Sequence, residues 1–164
     1  KAALGALPLI AEALGVITPA VEDLRASFNL PGMKVVQFAW WSTPSDTFMP
    51  HNHIPNCVVY TGTHDNDTAR GWYQRVSEEE RSFYRRYQGR DGSDVAWDLI
   101  RTAWRSVGIM ALAPMQDFLD LGNEARMNYP GNPSGNWSWR MPDGALTEAL
   151  KNRIREFNYL YDRK

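Results

Sequence analysis

Several features are scarce in this sequence, and each scarcity removes a class of protein. One cysteine, Cys57, among 164 residues excludes an internal disulfide framework and fits a reducing, cytoplasmic setting. No apolar run approaches the roughly 20 residues that a membrane-spanning helix needs. Eighteen Lys and Arg against 19 Asp and Glu leave a net charge of −1, so no field of one sign draws in nucleic acid or an anionic membrane surface. The few metal-type ligands, His51, His53, Cys57 and His64, fit no standard zinc spacing, and Asp65-Asn66-Asp67 lacks the glycine and distal glutamate of a calcium loop. These spacings give no reason to expect a metal site. Residues 2–14 lack the basic flank and sustained apolar centre of a signal peptide. With Lys1 in place of an initiator Met, the sequence reads as a piece of a longer chain. Repeats, low-complexity tracts and interdomain linkers are missing too, which leaves one domain.

What is abundant is apolar and aromatic: 43% hydrophobic residues, with seven Trp, seven Tyr and six Phe. That suffices for a core, and flat aromatic faces also suit stacking on sugars. Along the chain, residues 7–11 predict a buried strand ending at Glu12. Thr18-Pro19 then reads as the cap and first residue of a helix carrying Val21, Leu24 and Phe28. Residues 34–39 predict a second strand, and the proline-rich stretch 40–56, with Trp40, Trp41, His51 and His53, a long loop. Residues 57–60 predict a third strand. Ser77 with Glu80 forms a capping box, Gly89 closes that helix, and Ser93 caps another whose Trp97, Ile100, Trp104 and Val107 share one face. Residues 108–113 predict a fourth buried strand. The segment 128–144 is irregular, and Leu150, Ile154, Phe157 and Leu160 mark a closing helix after Thr147.

Buried strands separated by helices or long loops imply a parallel sheet with right-handed crossovers. Glu12, Gln37, His64 with Asp65, and Gln116 with Asp117 all fall at or just past a strand's C-terminal end, so a parallel sheet gathers them on one side. Eight β/α units that close into a barrel keep their chemistry there, but they need about 250 residues. The expected architecture is therefore α/β, with parallel β/α units amounting to half of such a barrel. The densest polar stretch is Thr61–Thr68, between the third strand and a helix holding Trp72. Two readings of it stand side by side: Asn66 or Asp67 capping a helix that begins near Thr68, or a His and carboxylates that grip a ligand's hydroxyls.

The blocks Ala11–Pro19, Leu30–Val35, Thr61–Thr68, Ala113–Asp117, Glu124–Asn128 and Gly135–Trp137 resemble the 4-α-glucanotransferases, the amylomaltases or disproportionating enzymes. The likeness runs from about residue 7 to residue 140. It implies the C-terminal half of the family's (β/α)8 barrel over residues 1–164, with the strand that bears the nucleophilic aspartate upstream. It also implies the chemistry: an α-1,4-glucan segment is moved to an acceptor glucose or maltodextrin by double displacement with retention, using two carboxyls about 5 Å apart. By the same resemblance Glu12 matches the acid/base, Asp65 the carboxylate that holds the sugar in the transition state, and His64 a grip on that sugar. Asn128 matches a donor-subsite residue, although the residue types alone allow a turn former there. Trp40 and Trp41 stand where a glucose ring could stack, and loop packing explains them equally well. The resemblance implies no metal or organic cofactor. Three departures stand out: Ala13 follows Glu12 where the family usually has Asp, Trp40-Trp41 follows Gln37-Phe38-Ala39 where the family more often has Phe and then small or acidic residues, and Asn52-His53 replaces a more usual Asn-Tyr. Three functions remain open on the residues: a transferase, a non-catalytic glucan-binding or assembly module, and a metal hydrolase. A further expectation is that this half-barrel self-associates through its open strand edges.

Overall fold

The computed structural model describes residues 8–15, 17–41 and 43–163. Its sheet has three parallel strands in the order β1 (Gly32–Val35), β2 (Cys57–Tyr60) and β3 (Met110–Leu112). Around it run α1 (Pro19–Ser27), α2 (Ala69–Arg75), α3 (Glu78–Gln88), α4 (Val95–Trp104), the single turn α5 (Met115–Phe118) and α6 (Glu148–Leu160). Between β1 and β2 the described residues form two 3-10 turns and no α-helix. Three helices fill the passage from β2 to β3.

The sheet corrects three of the four expected strands. Leu7 lies outside the described residues, and residues 8–14 form no strand; a backbone bond from Ala11 N–H to the Pro31 carbonyl, 2.9 Å, ties them beside β1. Leu9 and Ile10 are exposed there, so burial does not select an extended conformation. The second strand begins two residues earlier than expected, at Gly32, and Val36–Ala39 is a 3-10 turn instead. Its Gln37 side chain donates to the Asp67 carbonyl at 2.9 Å, a tie to the polar loop that a straight strand does not offer. The fourth strand is short and lies at the sheet's edge, with Met110 46% and Leu112 38% exposed rather than buried. Only β2 stands as read.

Helix boundaries follow the cap signals closely. Ser77 Oγ accepts from Glu80 N–H at 3.2 Å, Thr147 Oγ1 from Leu150 N–H at 3.2 Å, and Gly89 ends α3 in the left-handed region with φ 64°. The cap of α4 is Asp94, one residue later than expected, because Ser93 turns back to bond Asp91. Trp97, Ile100 and Trp104 on α4 are buried as read, but Val107 lies past the helix and is exposed. Around α4 the core closes through edge-on contacts of Trp97 with Phe118 and Phe157, and of Trp104 with Phe118. Cys57, Val59 and Ala111 face this helical layer. Strand alternation turns Met33, Tyr60 and Leu112 to the other side, where they line an open cleft. The Val21, Leu24 and Phe28 face of α1 is exposed.

Candidate active site

The Thr61–Thr68 loop begins where β2 leaves the sheet, and its shape comes from its own side chains. Asn66 Oδ1 accepts from Thr63 N–H at 2.8 Å and from Thr63 Oγ1 at 2.9 Å, while Asn66 N–H closes a turn onto the Thr63 carbonyl at 3.2 Å. That tight turn pushes His64 and Asp65 outward. The helix cap is neither Asn66 nor Asp67. Thr68 caps α2 with its hydroxyl accepting from Gly71 N–H at 3.0 Å, and the helix starts at Ala69. Asp67 instead is buried, accepting from Thr68 N–H at 2.8 Å and from Asn123 Nδ2 at 2.9 Å and pairing with Arg75.

Asp65 is the convergence point. Its Oδ1 accepts from Asn128 Nδ2 at 2.6 Å and lies 3.3 Å from His64 Nε2. Three residues singled out in the sequence thus meet, and Asn128, which lies outside any turn, is held by its side chain rather than by a turn-forming role. Arg126, which the residue pattern did not single out, fixes the meeting. Its Nη2 donates to the Asp65 carbonyl at 2.7 Å and its Nε to the Asn128 carbonyl at 2.8 Å, with the guanidinium 4.3 Å from the centre of the Tyr129 ring. Trp137 was missed too: its exposed indole lies against the His64 ring, centroids 5.0 Å apart, and its backbone takes φ 61°. Both belong to blocks on which the resemblance rests, so membership of such a block was the only signal for them. Position along the chain gave none.

Glu12 stands on the same side of the sheet. A cleft of about 430 Å³ is lined by Glu12, Tyr60, Thr63 and His64, with Ile10 and Leu112 among its apolar walls. Burial, then the Glu12 carboxylate, push the Tyr60 phenol up in pKa. Glu12 itself is exposed, as is Ile10. The two tryptophans part company. Trp40 is 1% exposed and packs edge-on against Tyr84 and Tyr87, so its faces belong to the core and the stacking role does not hold for it. Trp41 is 74% exposed and shares a shallow depression with Asp65 and Arg126. His51 and His53 point elsewhere, bonding the Pro44 and Phe48 carbonyls, and no group of three metal-type ligands is found among the described residues.

A carboxylate, an imidazole and an amide converge beyond β2, with a second carboxylate lining the cleft alongside. This is an α/β protein whose polar groups gather at the C-terminal side of a parallel sheet, where ligands of such folds bind. The sequence model of the family described as 4-alpha-glucanotransferase matches residues 1–147. The 4-alpha-glucanotransferase of Thermus thermophilus is 49% identical over 159 residues, which is 92% of this chain and 32% of that protein. The chloroplastic/amyloplastic 4-alpha-glucanotransferase of Arabidopsis thaliana is 44% identical, over 98% of this chain and 28% of its own length. Among solved structures, the amylomaltase of Streptococcus agalactiae in complex with acarbose superposes with a TM-score of 0.93 at 36% identity, over 98% of this chain and 33% of that one. The chain belongs to the 4-alpha-glucanotransferase family. It spans about a third of the length of the relatives it matches.

Proposed function

We propose that the full-length protein carrying this chain is a 4-alpha-glucanotransferase, and that residues 1–164 supply the C-terminal half of its (β/α)8 barrel. In this reading an α-1,4-glucan is cleaved and its donor part passed to another glucose or maltodextrin with retention. The attacking carboxylate comes from outside these residues. Glu12 protonates the leaving oxygen and then, as a base, takes the proton of the acceptor hydroxyl. Asp65, with His64 beside it, holds ring hydroxyls of the reacting glucose as positive charge builds at the anomeric carbon. Asn128 directs one Asp65 oxygen, and Trp41 offers an open ring face at the margin. The chemistry calls for no metal or cofactor, and the buried free thiol of Cys57 suits a reducing, cytoplasmic setting. Among the described residues no helix is long and apolar enough to cross a membrane.

The observation that carries this reading is the Asp65 carboxylate fixed by Asn128 beside His64, in a loop whose helix is capped by another residue. A capping carboxylate contributes about 1 kcal/mol of stability and no rate. In the full-length protein, Asp65→Asn keeps the shape and the acceptor oxygen but removes the charge. The expected outcome is a fall in maltotriose disproportionation of about a hundredfold or more with a nearly unchanged melting temperature. Parental turnover in that variant contradicts the assignment. If the parental protein binds maltodextrin but yields neither free glucose nor longer chains from maltotriose, it is a binding module.

A further inference from the structure

The short helix α5, just beyond β3, carries two adjacent buried side chains, Gln116 and Asp117, which reach in different directions. Asp117 is 1% exposed, and its carboxylate touches both ends of the active loop. Oδ2 accepts from Thr61 Oγ1 at 2.5 Å, where the chain leaves β2, and Oδ1 accepts from Ala69 N–H at 2.8 Å, where it enters α2. The seven residues between these anchors include His64 and Asp65. Gln116 Nε2 donates to the Ala125 carbonyl at 3.1 Å, holding the segment that continues into Arg126 and Asn128. The two segments that meet at the Asp65–Asn128 bond are thus both tied to one turn of helix.

We propose that Asp117 is a positioning residue for glucan transfer: by bridging Thr61 and Ala69 it fixes the span of the loop and so the place of Asp65 against the sugar. The inference rests on the transferase reading of Asp65. A carboxylate suits the task because both oxygens accept, from a hydroxyl and from an amide, at a separation set by one carbon. Neither donor could turn to water, since Thr61 and Ala69 are fully buried. Losing the bridge leaves both without a partner and frees the loop to shift, and a displacement of about 1 Å in a catalytic group lowers rates by about a hundredfold. Asp117 itself does not reach the cleft.

The test compares three variants of the full-length protein, each assayed with maltotriose well below its own melting temperature. Asp117→Ala removes both acceptors. Asp117→Asn keeps an oxygen for Ala69 N–H and offers its amide to the Thr61 hydroxyl, which can accept. Thr61→Val cuts one of the two bonds at constant shape. Positioning requires kcat to fall about tenfold to a hundredfold in Asp117→Ala, with KM within about threefold, and requires Asp117→Asn to recover most of that loss. Thr61→Val should fall between them, which keeps the test decisive if Asp117→Ala does not fold. The inference is overturned if Asp117→Ala or Thr61→Val turns over at the parental rate, or if Asp117→Asn falls as far as Asp117→Ala. A parental protein without transferase activity would sink the function itself. In that case the amide and His64 ring resonances of the full-length protein decide the structural part: Thr61→Val must shift them across residues 61–69, and shifts confined to residue 61 and its neighbours overturn the bridge.

Discussion

Asp117 illustrates how far a residue's surroundings can outweigh its hydrogen bonds. Donors from Ala69 and Thr61 pull its pKa down, but burial dominates, with the Asp120 and Asp67 charges adding to it, and the carboxyl is pushed up to about 6. An unfolded Asp titrates near 3.9, so the folded state binds the proton more tightly. Its stabilising contribution is present in full below about pH 4 and is lost as pH rises through about 6. Asp117→Asn removes that dependence, and the stability of the variant relative to the parent should rise by roughly 2 kcal/mol between pH 4 and pH 7. Urea midpoints at the two pH values measure it, and equal differences at both would contradict the buried-carboxyl account. At this scale the sequence told residue types apart poorly. Trp40 and Trp41 are neighbours of one type, yet one is core and the other surface, because a 3-10 turn just before them sends the chain over α3. No composition or period reports such a turn. His64, Asp65 and Asn128 were recognisable through their blocks, whereas Arg126 acts through backbone carbonyls that no pattern of side chains reveals.

Among the elements, the β2–α2 unit shows local sequence and packing deciding together. Gly71 sits in the first turn of α2, where Ala ordinarily favours a helix by about 1 kcal/mol. Here a Cβ would lie 2.7 Å from the Asp67 Cγ, and that carboxyl group cannot swing aside because Thr68, Asn123 and Arg75 hold it. Gly71→Ala should therefore destabilise by about 1–3 kcal/mol, as overpacking does, and loosen the loop. Chemical denaturation reads the sign directly, and a gain of stability would mean that Asp67 is free to move. Helices were legible from their caps and periodic faces because those signals are local. Strands were legible only where most of their residues are buried. β2, central in the sheet, has Cys57, Val58 and Val59 buried, while β3 and residues 8–14 lie at the sheet's margins and are largely exposed.

For the whole molecule, one sheet face is clothed by helices and the other is open, with Ile10, Met110 and Leu112 partly exposed and the outer edge of β3 without a strand partner among the described residues. Such an edge pairs readily with another chain. The isolated 164-residue chain is expected to self-associate and to lack transferase activity; sedimentation equilibrium finding a stable monomer would contradict the open-edge argument. The α/β class and parallel strands could be read from the order of elements, but the number of strands could not, since residues 8–14 are largely apolar in sequence yet lack the burial that would select a strand. The central claim, that Glu12 and Asp65 serve glucan transfer, is tested most directly by Glu12→Gln in the full-length protein. General acid catalysis contributes about 10²–10⁴-fold, and Gln keeps the volume of the side chain while losing the acidic proton. Disproportionation of maltotriose should fall by at least about a hundredfold with the fold intact, and a variant that still forms glucose and longer maltodextrins at the parental rate would contradict the account.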